Sequence, residues 1–214
     1  MAKKIALVVG SPRKNGLTSS LATAFKTKIE ALNNTPPAGM NGNVEIEIIQ
    51  LSEYKIDHCT GCDACLRKPN TCPITEHDDM GKLESTLKES DAIIMGAPSY
   101  FGSIPAIIKD IIDRSRPMKM AGYQLKDKIF SAYATAGLQG GGINAVQDDL
   151  IHFALIQGMV VVGALGHPVL IPNLVSETLQ MQELKSFRKP TEIGDVAKNS
   201  IESLAERIFF LLNK

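Results

Sequence analysis

The chain has 214 residues, of which 44% are hydrophobic and 21% charged, and its formal net charge is zero. This balance is typical of a globular protein with ample material for a core, and the charge gives no indication of a nucleic-acid or anionic-lipid partner. The first apolar run, residues 5–9, is too short for a signal peptide, and no run approaches the roughly 18 apolar residues of a membrane span. We therefore expect a single domain over residues 1–214 that works in the cytoplasm, without a nucleic-acid or membrane partner.

Short apolar runs alternate with segments of helical periodicity along the chain. The predicted strands are residues 4–9, 44–51, 91–97, 128–135 and 159–164. The predicted helices are residues 18–32, 78–89, 104–114, 144–157 and 194–212. Residues 33–43 are rich in Asn, Gly and Pro and predict a surface loop, whereas residues 168–190 predict an irregular segment with at most a short helix. The alternation favours a doubly wound α/β fold, a parallel sheet covered by helices on both faces, in which ligands bind beyond the carboxyl ends of the strands.

The loop after the first predicted strand has the chemistry of an anion site. It reads Gly-Ser-Pro-Arg-Lys-Asn-Gly-Leu-Thr-Ser-Ser from position 10 and leads into a helix, where free backbone N–H groups and the helix dipole attract negative charge. Its hydroxyl groups and the Arg13 guanidinium add donors, but it matches neither the P-loop nor the Gly-x-Gly-x-x-Gly pattern. The loop suits the terminal phosphate of a mononucleotide, and the alternative is a polar turn with a solvated Arg13.

Two further strand ends carry distinctive loops. Residues 98–105 read Pro-Ser-Tyr-Phe-Gly-Ser-Ile-Pro, and their adjacent aromatic side chains can pack on a flat ring system or simply cap the core. Residues 137–142 contain four glycines in six positions, which lets the backbone approach a ligand closely. Each loop alone is weak support for a site, but three such loops at strand ends together indicate one shared ligand site.

All four cysteines lie in one short loop with the spacing C-x2-C-x2-C-x6-C. They are Cys59, Cys62, Cys65 and Cys72. In a reducing cytosol, clustered cysteines are more often metal-binding or catalytic than a disulfide framework. Overlapping C-x2-C units followed by a proline are typical of loops that bind iron–sulfur clusters, whereas structural zinc sites use two separated C-x2-C pairs. The spacing favours a cluster and leaves zinc and free or redox-active thiols open.

Taken together, these motifs resemble the flavodoxin-like NAD(P)H-dependent FMN reductases, and the compact cysteine loop resembles their iron–sulfur flavoprotein branch. The matching stretches are G-S-P-R-x-N-G-x-T-S, the cysteine loop, P-S-Y-F-G-S-I-P and T-A-G-x-Q-G-G-G. The resemblance implies a flavodoxin-like five-stranded parallel sheet in the order 2-1-3-4-5, with the cysteine loop inserted at about residues 57–76. It also implies that FMN is bound by Ser11, Arg13, Asn15, Gly16, Thr18, Ser19, Pro98, Ser99, Tyr100, Phe101, Gly102, Thr135, Ala136, Gly137, Gly140 and Gly141.

On this resemblance we predict an FMN-dependent oxidoreductase that transfers electrons between FMN and a [4Fe–4S] cluster on Cys59, Cys62, Cys65 and Cys72. NAD(P)H is a candidate electron donor, ferredoxin or quinone are candidate partners, and the family implies a homodimer or homotetramer. No acid–base residue is singled out as catalytic, because the cofactor carries the chemistry. Two alternatives stay open: a cluster-free NAD(P)H-dependent FMN or quinone reductase, and a non-enzymatic redox or metal sensor.

Overall fold

The computed structural model describes residues 2–138, 140–174 and 193–214. Within these residues, six strands form one parallel sheet in the order β2-β1-β3-β4-β5, with β6 paired to β4 as well. The strands are β1 (Lys3–Val9), β2 (Val44–Gln50), β3 (Ala92–Pro98), β4 (Ile129–Leu138), β5 (Val160–Val161) and β6 (Val169–Leu174). The predicted doubly wound topology and its strand order are confirmed.

The described helices cover both faces of the sheet. They are α1 (Leu17–Asn34), α2 (Ala64–Arg67), α3 (Met80–Glu89), α4 (Ala106–Arg114), α5 (Arg116–Met120), α6 (Ile143–Gln157) and α7 (Asp195–Leu212). Side chains of α1 and α7 pack on one face, and those of α3, α4 and α6 pack on the other. Because both faces are covered, β3 is buried along its whole length, which explains its nearly continuous apolar sequence. Within these ranges no helix combines the length and apolarity needed to cross a bilayer.

At the edge of the sheet beyond β4, the structure differs from the sequence prediction. The sheet has a sixth strand, β6, where an irregular segment from residue 168 was predicted. The predicted strand at 159–164 pairs with β4 only through Val160 and Val161, opposite Ile129 and Phe130. The later half of β4 would then lack a partner on that side, and β6 supplies one, starting with Val169 opposite Tyr133. The apolar run 169–171 was a signal for this strand, but Pro172 obscured it; proline is tolerated where a strand lies at the edge of a sheet. The rest of the predicted irregular segment, residues 175–190, lies outside the described residues.

A close contact inside the sheet positions the site. The ring of Tyr133 is completely buried and lies against Gly96, where an added Cβ would come within 1.9 Å of the ring. Glycine at this position of β3 lets Tyr133 reach across, and its hydroxyl donates a hydrogen bond of 2.9 Å to the carbonyl of Thr18 in α1. Burial raises the pKa of Tyr133, so the hydroxyl stays protonated and keeps its role as a donor. The start of α1 is thereby tied to β4.

Candidate functional site

The carboxyl ends of β1, β3 and β4 surround a cavity of about 290 Å³. The sheet winds toward β2 on one side of β1 and toward β4 on the other, so these ends meet where the winding reverses. The structure brings residues of all three predicted loops together here. The predicted residues that line the cavity are Ser11, Arg13, Gly16, Thr18, Pro98, Ser99, Tyr100, Thr135, Ala136, Gly137 and Gly141.

The first loop presents polar groups at the N-terminus of α1. Gly16 precedes the helix in an extended conformation, and no acidic residue stands in the first turn. The nearly buried hydroxyl of Ser11 accepts a hydrogen bond of 3.1 Å from the backbone N–H of Arg13. The helix end and the Arg13 guanidinium together give this side of the cavity a positive potential that suits a phosphate group.

Two buried threonines join the first loop to the third. The hydroxyl oxygens of Thr18 and Thr135 are 2.8 Å apart, and both residues are at least 97% buried, with 2% and 3% of their surface exposed. Thr18 is the second residue of α1, after the first loop, and Thr135 lies in β4 just before the glycine-rich loop. This bond fixes the spacing between the anion-binding side of the cavity and the side formed by the glycine-rich loop.

The loop after β3 is a tight two-residue turn. Tyr100 and Ser103 exchange two backbone hydrogen bonds of 2.9 and 3.2 Å, and the residues between them, Phe101 and Gly102, both have positive φ angles of 49° and 84°. Such angles are uncommon for a bulky residue, so the turn holds Phe101 in a strained conformation. Its ring is fully exposed, whereas Tyr100 lines the cavity.

Contacts from the glycine-rich region hold this turn in place. The Ser99 hydroxyl donates a hydrogen bond to the carbonyl of Gly141, and the Ser103 hydroxyl donates one of 2.7 Å to the carboxylate of Asp149 in α6. Gly142 approaches the turn so closely that an added Cβ would lie 2.4 Å from the Cα of Gly102. The second and third loops therefore form one packed unit, and this close approach requires glycine at position 142.

Not every predicted residue lies at the cavity. Asn15 is exposed to solvent, and the Ser19 hydroxyl donates a hydrogen bond of 3.2 Å to the Gln50 side chain on the neighbouring strand. Phe101, Gly102 and Gly140 also stand outside the described lining. Two apolar residues that the motif reading did not include, Leu17 and Leu138, line it instead. Both adjoin predicted residues in sequence, so a reading of the loops as whole segments would have included them.

The cysteine loop follows β2 and is held by α4 and α5. The residues before and after the loop form a neck: the Lys55 N–H donates a hydrogen bond of 2.9 Å to the Asp79 carboxylate, and the Asp79 N–H donates one of 2.8 Å to the Lys55 carbonyl. Two side-chain pairs fasten the loop to the helices. They are His58 with Asp110 at 2.5 Å and Asp63 with Arg116 at 2.8 Å. The hydrogen bond that the His58 ring makes to the Asp110 carboxylate, and then the negative charge of that carboxylate, raise the pKa of His58.

The four cysteines are free thiols of unequal exposure. Cys59 and Cys62 are exposed, while Cys65 and Cys72 are half-buried. Hydrogen bonds from the backbone N–H of Ala64 and then from the Thr60 hydroxyl lower the pKa of Cys62, which favours its thiolate form.

The donor chemistry of this loop fits an iron–sulfur cluster, because four thiols stand within residues 59–72. Their arrangement is not that of a formed metal site: among the described residues, no three His, Cys, Asp or Glu side chains are grouped to hold a metal ion. Binding a cluster would therefore require the loop to close around it.

Comparison with known sequences identifies relatives along most of the chain. The sequence profile described as NADPH-dependent FMN reductase matches residues 3–167. An iron–sulfur flavoprotein of Archaeoglobus fulgidus is 34% identical over 206 residues, which cover 96% of this chain and 93% of that protein. An iron–sulfur flavoprotein of Methanocaldococcus jannaschii is 36% identical over 160 residues, which cover 75% of this chain and 76% of that protein.

Solved structures share the fold at much lower identity. A flavoenzyme NAD(P)H:(acceptor) oxidoreductase from Paracoccus denitrificans aligns with a TM-score of 0.64 at 19% identity, covering 99% of this chain and 97% of that one. An NADH:FMN oxidoreductase in its apo form aligns with a TM-score of 0.65 at 15% identity, covering 98% of this chain and 90% of that one. These likenesses agree with the flavodoxin-like strand order described above.

Proposed function

This chain belongs to the NADPH-dependent FMN reductase family and is an FMN-dependent oxidoreductase, and we propose that it transfers electrons between FMN and an iron–sulfur cluster on its cysteine loop. The observation that carries the proposal is the cavity that three strand-end loops form at the reversal of the sheet. When bound, FMN supplies two-electron chemistry that can be divided into single steps, and a cluster carries one electron at a time.

The anion-binding side of the cavity would hold the FMN phosphate. Ser11, the N-terminal turn of α1 and Arg13 place donors there, and the absence of acidic residues from that turn leaves its positive potential intact. A charge-assisted contact from Arg13 would add both affinity and orientation. Ser19 stays a predicted phosphate ligand; its hydroxyl bonds to the Gln50 side chain and to the Arg13 carbonyl.

The opposite side of the cavity suits the flat ring of the flavin. Tyr100 and the glycine-rich segment with Gly137, Leu138 and Gly141 provide the aromatic, backbone and apolar surfaces of this part of the cavity. The packed unit of Ser99, Gly141 and the 100–103 turn keeps these surfaces at a fixed distance. A rigid slot of this kind orients the ring with little loss of entropy on binding.

The described lining residues include no histidine, carboxylate or lysine side chain. The protein therefore contributes hydroxyls, backbone N–H groups, one guanidinium and apolar walls, which bind and orient a cofactor. Among the described lining residues, the Tyr100 hydroxyl is the candidate for proton transfer by a side chain. This agrees with a flavoenzyme in which the cofactor, and not an acid–base pair, carries the reaction.

Three features support the cluster half of the proposal. Four thiols are concentrated in one loop, the names of the relatives at 34% and 36% identity refer to iron–sulfur flavoproteins, and α4 connects the loop to the flavin cavity. Helix α4 begins directly after the 98–105 loop. Its residue Asp110 forms a hydrogen bond with His58 of the cysteine loop. The cysteine residues that would hold the cluster are Cys59, Cys62, Cys65 and Cys72.

A cluster-free NAD(P)H-dependent FMN or quinone reductase is the second candidate. The observation that favours it is the ungrouped arrangement of the thiols within the described part of the chain. In that case the cavity alone would serve the reaction and the cysteine loop would have another role. A non-enzymatic redox or metal sensor, the third possibility from the sequence, does not agree with a family of NADPH-dependent FMN reductases.

For partners, we propose a nicotinamide nucleotide as electron donor, a small acceptor such as ferredoxin or quinone, and a homodimer or homotetramer as the assembly. The fully exposed, strained Phe101 beside the cavity supports self-association, because a second copy would cover an apolar ring that solvent now surrounds. Light scattering of the FMN-bound protein tests this: an oligomer is expected, and a monomer would contradict it.

The proposed function is tested with wild-type protein handled without oxygen, before and after reconstitution with iron and sulfide. NADPH is the donor, and the rate is measured with a one-electron acceptor and with a two-electron quinone. We expect reconstitution to raise the one-electron rate several-fold relative to the quinone rate. Equal rates before and after reconstitution, with FMN bound in both samples, would favour the cluster-free reductase. Protein that binds no FMN would contradict the whole proposal.

A further inference from the structure

One buried arginine joins the two ends of the cysteine loop. Arg114, the last residue of α4, is only 1% exposed. Its Nη1 donates a hydrogen bond of 2.8 Å to the carbonyl of Asp57, where the loop begins. Its Nη2 donates one of 3.0 Å to the hydroxyl of Thr75, where the loop ends. A single guanidinium thus spans the base of the loop.

The carboxylate of Asp78 completes this junction. It forms an ion pair with Arg114, and the side chains of both residues are almost inaccessible to solvent, at 0% and 1% exposure. The same carboxylate accepts backbone hydrogen bonds from Asp57 at 3.1 Å and from Met80, in the first turn of α3, at 3.0 Å. Residues before the loop, after the loop, in α3 and in α4 therefore meet at one charged pair.

The cysteine loop has little internal structure with which to hold its own shape. Between residues 58 and 74, its regular elements are the four-residue helix α2 and the start of a 3-10 turn at Pro73–Glu76. Gly61, Asp63 and Asn70 adopt positive φ angles, and most of the loop is exposed. Segments with few buried contacts open easily unless their ends are fixed. The junction at Arg114 is the most buried of the described contacts that fix these ends.

We propose that Arg114 is a positioning residue for the cysteine loop. It holds the loop's two ends at a fixed separation, so that the thiols can close around a cluster without first ordering the whole loop. Only this last step rests on the proposed cluster function; the restraint on the loop is a property of the chain by itself. Because α4 also follows the 98–105 loop, the same helix positions the flavin wall and the cysteine loop.

The competing explanation is that Arg114 and Asp78 only stabilise the fold. A buried ion pair is weak support for stability, whereas removal of one partner leaves an uncompensated charge. Three variants separate these roles. Arg114→Lys keeps the charge but loses the planar fork that reaches both ends. Arg114→Met combined with Asp78→Asn removes both charges, and Thr75→Val removes only the contact at the end of the loop.

The matched control is Lys128→Met. Lys128 is another partly buried cation, and it donates hydrogen bonds to two backbone oxygens, the carbonyls of Lys88 and Ser90. It directly precedes β4 and so lies at the amino ends of the strands, away from the cysteine loop. Its removal should affect stability without affecting the cysteine loop.

Hydrogen exchange of full-length FMN-loaded protein is the first readout, with the amides of β3 as an internal reference for global opening. In Arg114→Lys and in the double variant we expect exchange over residues 57–78 to accelerate by about tenfold or more relative to β3, with FMN content unchanged. Thr75→Val should accelerate amide exchange only over residues 72–77. Lys128→Met should leave the ratio of the loop exchange rate to the β3 exchange rate unchanged. The second readout is iron and sulfide per chain after anaerobic reconstitution, which should fall in Arg114→Lys and in the double variant.

The proposal is overturned if loop and β3 amides accelerate together in the variants, or if the loop exchanges at the wild-type rate in Arg114→Lys and in the double variant. If Arg114→Lys does not fold, the double variant and Thr75→Val decide by the same criterion. Wild-type protein that takes up no iron would contradict the cluster proposal. Wild-type protein that contains no FMN would contradict the flavin proposal. In either case the exchange ratio still decides the role of Arg114.

Discussion

The hydroxyl oxygens of Thr18 and Thr135 lie 2.8 Å apart at the centre of the site, although 117 positions separate the two residues in the chain. Tyr133 adds a second contact between β4 and α1, because its hydroxyl donates a hydrogen bond to the Thr18 carbonyl. The start of α1 and the end of β4 are therefore joined by buried, satisfied polar groups. This junction explains how a cavity built from three separate loops keeps one shape.

The threonine pair leads to a prediction of strong coupling. Thr18→Val or Thr135→Val alone leaves one buried hydroxyl without its partner and should cost about 1–3 kcal/mol in the free energy of unfolding. The double variant removes both groups and should cost less than the sum of the two single variants. Denaturant unfolding of the four proteins in the cycle measures this. Strict additivity would show that the two hydroxyls do not interact.

Arg13→Ala should weaken FMN binding by roughly ten- to a hundred-fold, because a charge-assisted contact of about 1.5–3 kcal/mol is lost. Lys14→Ala is the matched control: it removes the same charge from the neighbouring position, but Lys14 pairs with Glu53 and lies outside the described lining of the cavity. Fluorescence titration of FMN into the apo proteins gives both affinities. If the two variants bind alike, Arg13 has no specific role at the phosphate.

Two glycines of the same loop should differ sharply in tolerance. Gly142 has a φ of +78°, and a side chain there would meet the Gly102 backbone, whereas an added Cβ at Gly140 meets no atom within 4 Å. Gly142→Ala should therefore destabilise the fold by about 1–3 kcal/mol and weaken FMN binding, since the turn at 100–103 must shift. Gly140→Ala should leave stability nearly unchanged. Thermal unfolding and FMN titration compare them, and equal behaviour would contradict the described packing of the two loops.

Glu84 makes stability depend on pH. It is 7% exposed on α3, and burial raises its pKa above the ordinary value of 4.5. The unfolded chain then releases this proton at lower pH than the folded chain, so the contribution of Glu84 to stability falls as the pH rises above about 4.5. Glu84→Gln should be more stable than the wild type at neutral pH and equal to it in acid.

Chemical denaturation from about pH 4 to about pH 8 tests this pH dependence. The control is Glu89→Gln; the Glu89 side chain is 65% exposed on the same helix and pairs with Lys4 at the surface. It should change stability little at any pH. A Glu84→Gln effect that does not vary with pH would show that the carboxyl does not titrate as described.

Local sequence was enough to predict where the site would lie. The predicted strands end at residues 9, 97 and 135, and parallel topology brings the carboxyl ends of strands together, so the loop chemistry could be assigned before the structure was known. Local sequence was not enough for side-chain direction. Ser19 has the same hydroxyl as Thr18, yet its position on α1 turns it toward Gln50, and this depends on how β2 packs beside the loop.

Contacts between distant residues set the remaining features. Strand β6 forms because β5 leaves half of β4 unpaired, and the short apolar run 169–171, interrupted by Pro172, does not express this long-range requirement. Likewise Arg114 ends a helix with ordinary amphipathic spacing, and its role at the base of the cysteine loop emerges only when Asp57, Thr75 and Asp78 fold against it. Charged residues at such junctions look like surface positions until the partner is placed.

The most direct test of the account is the cofactor content of protein purified and reconstituted without oxygen. We expect one FMN per chain with about four iron and about four sulfide ions, and loss of the iron but not of the FMN when Cys59, Cys62, Cys65 or Cys72 is replaced by serine. Stoichiometric FMN without iron and sulfide in the wild type would contradict the account and leave a cluster-free reductase.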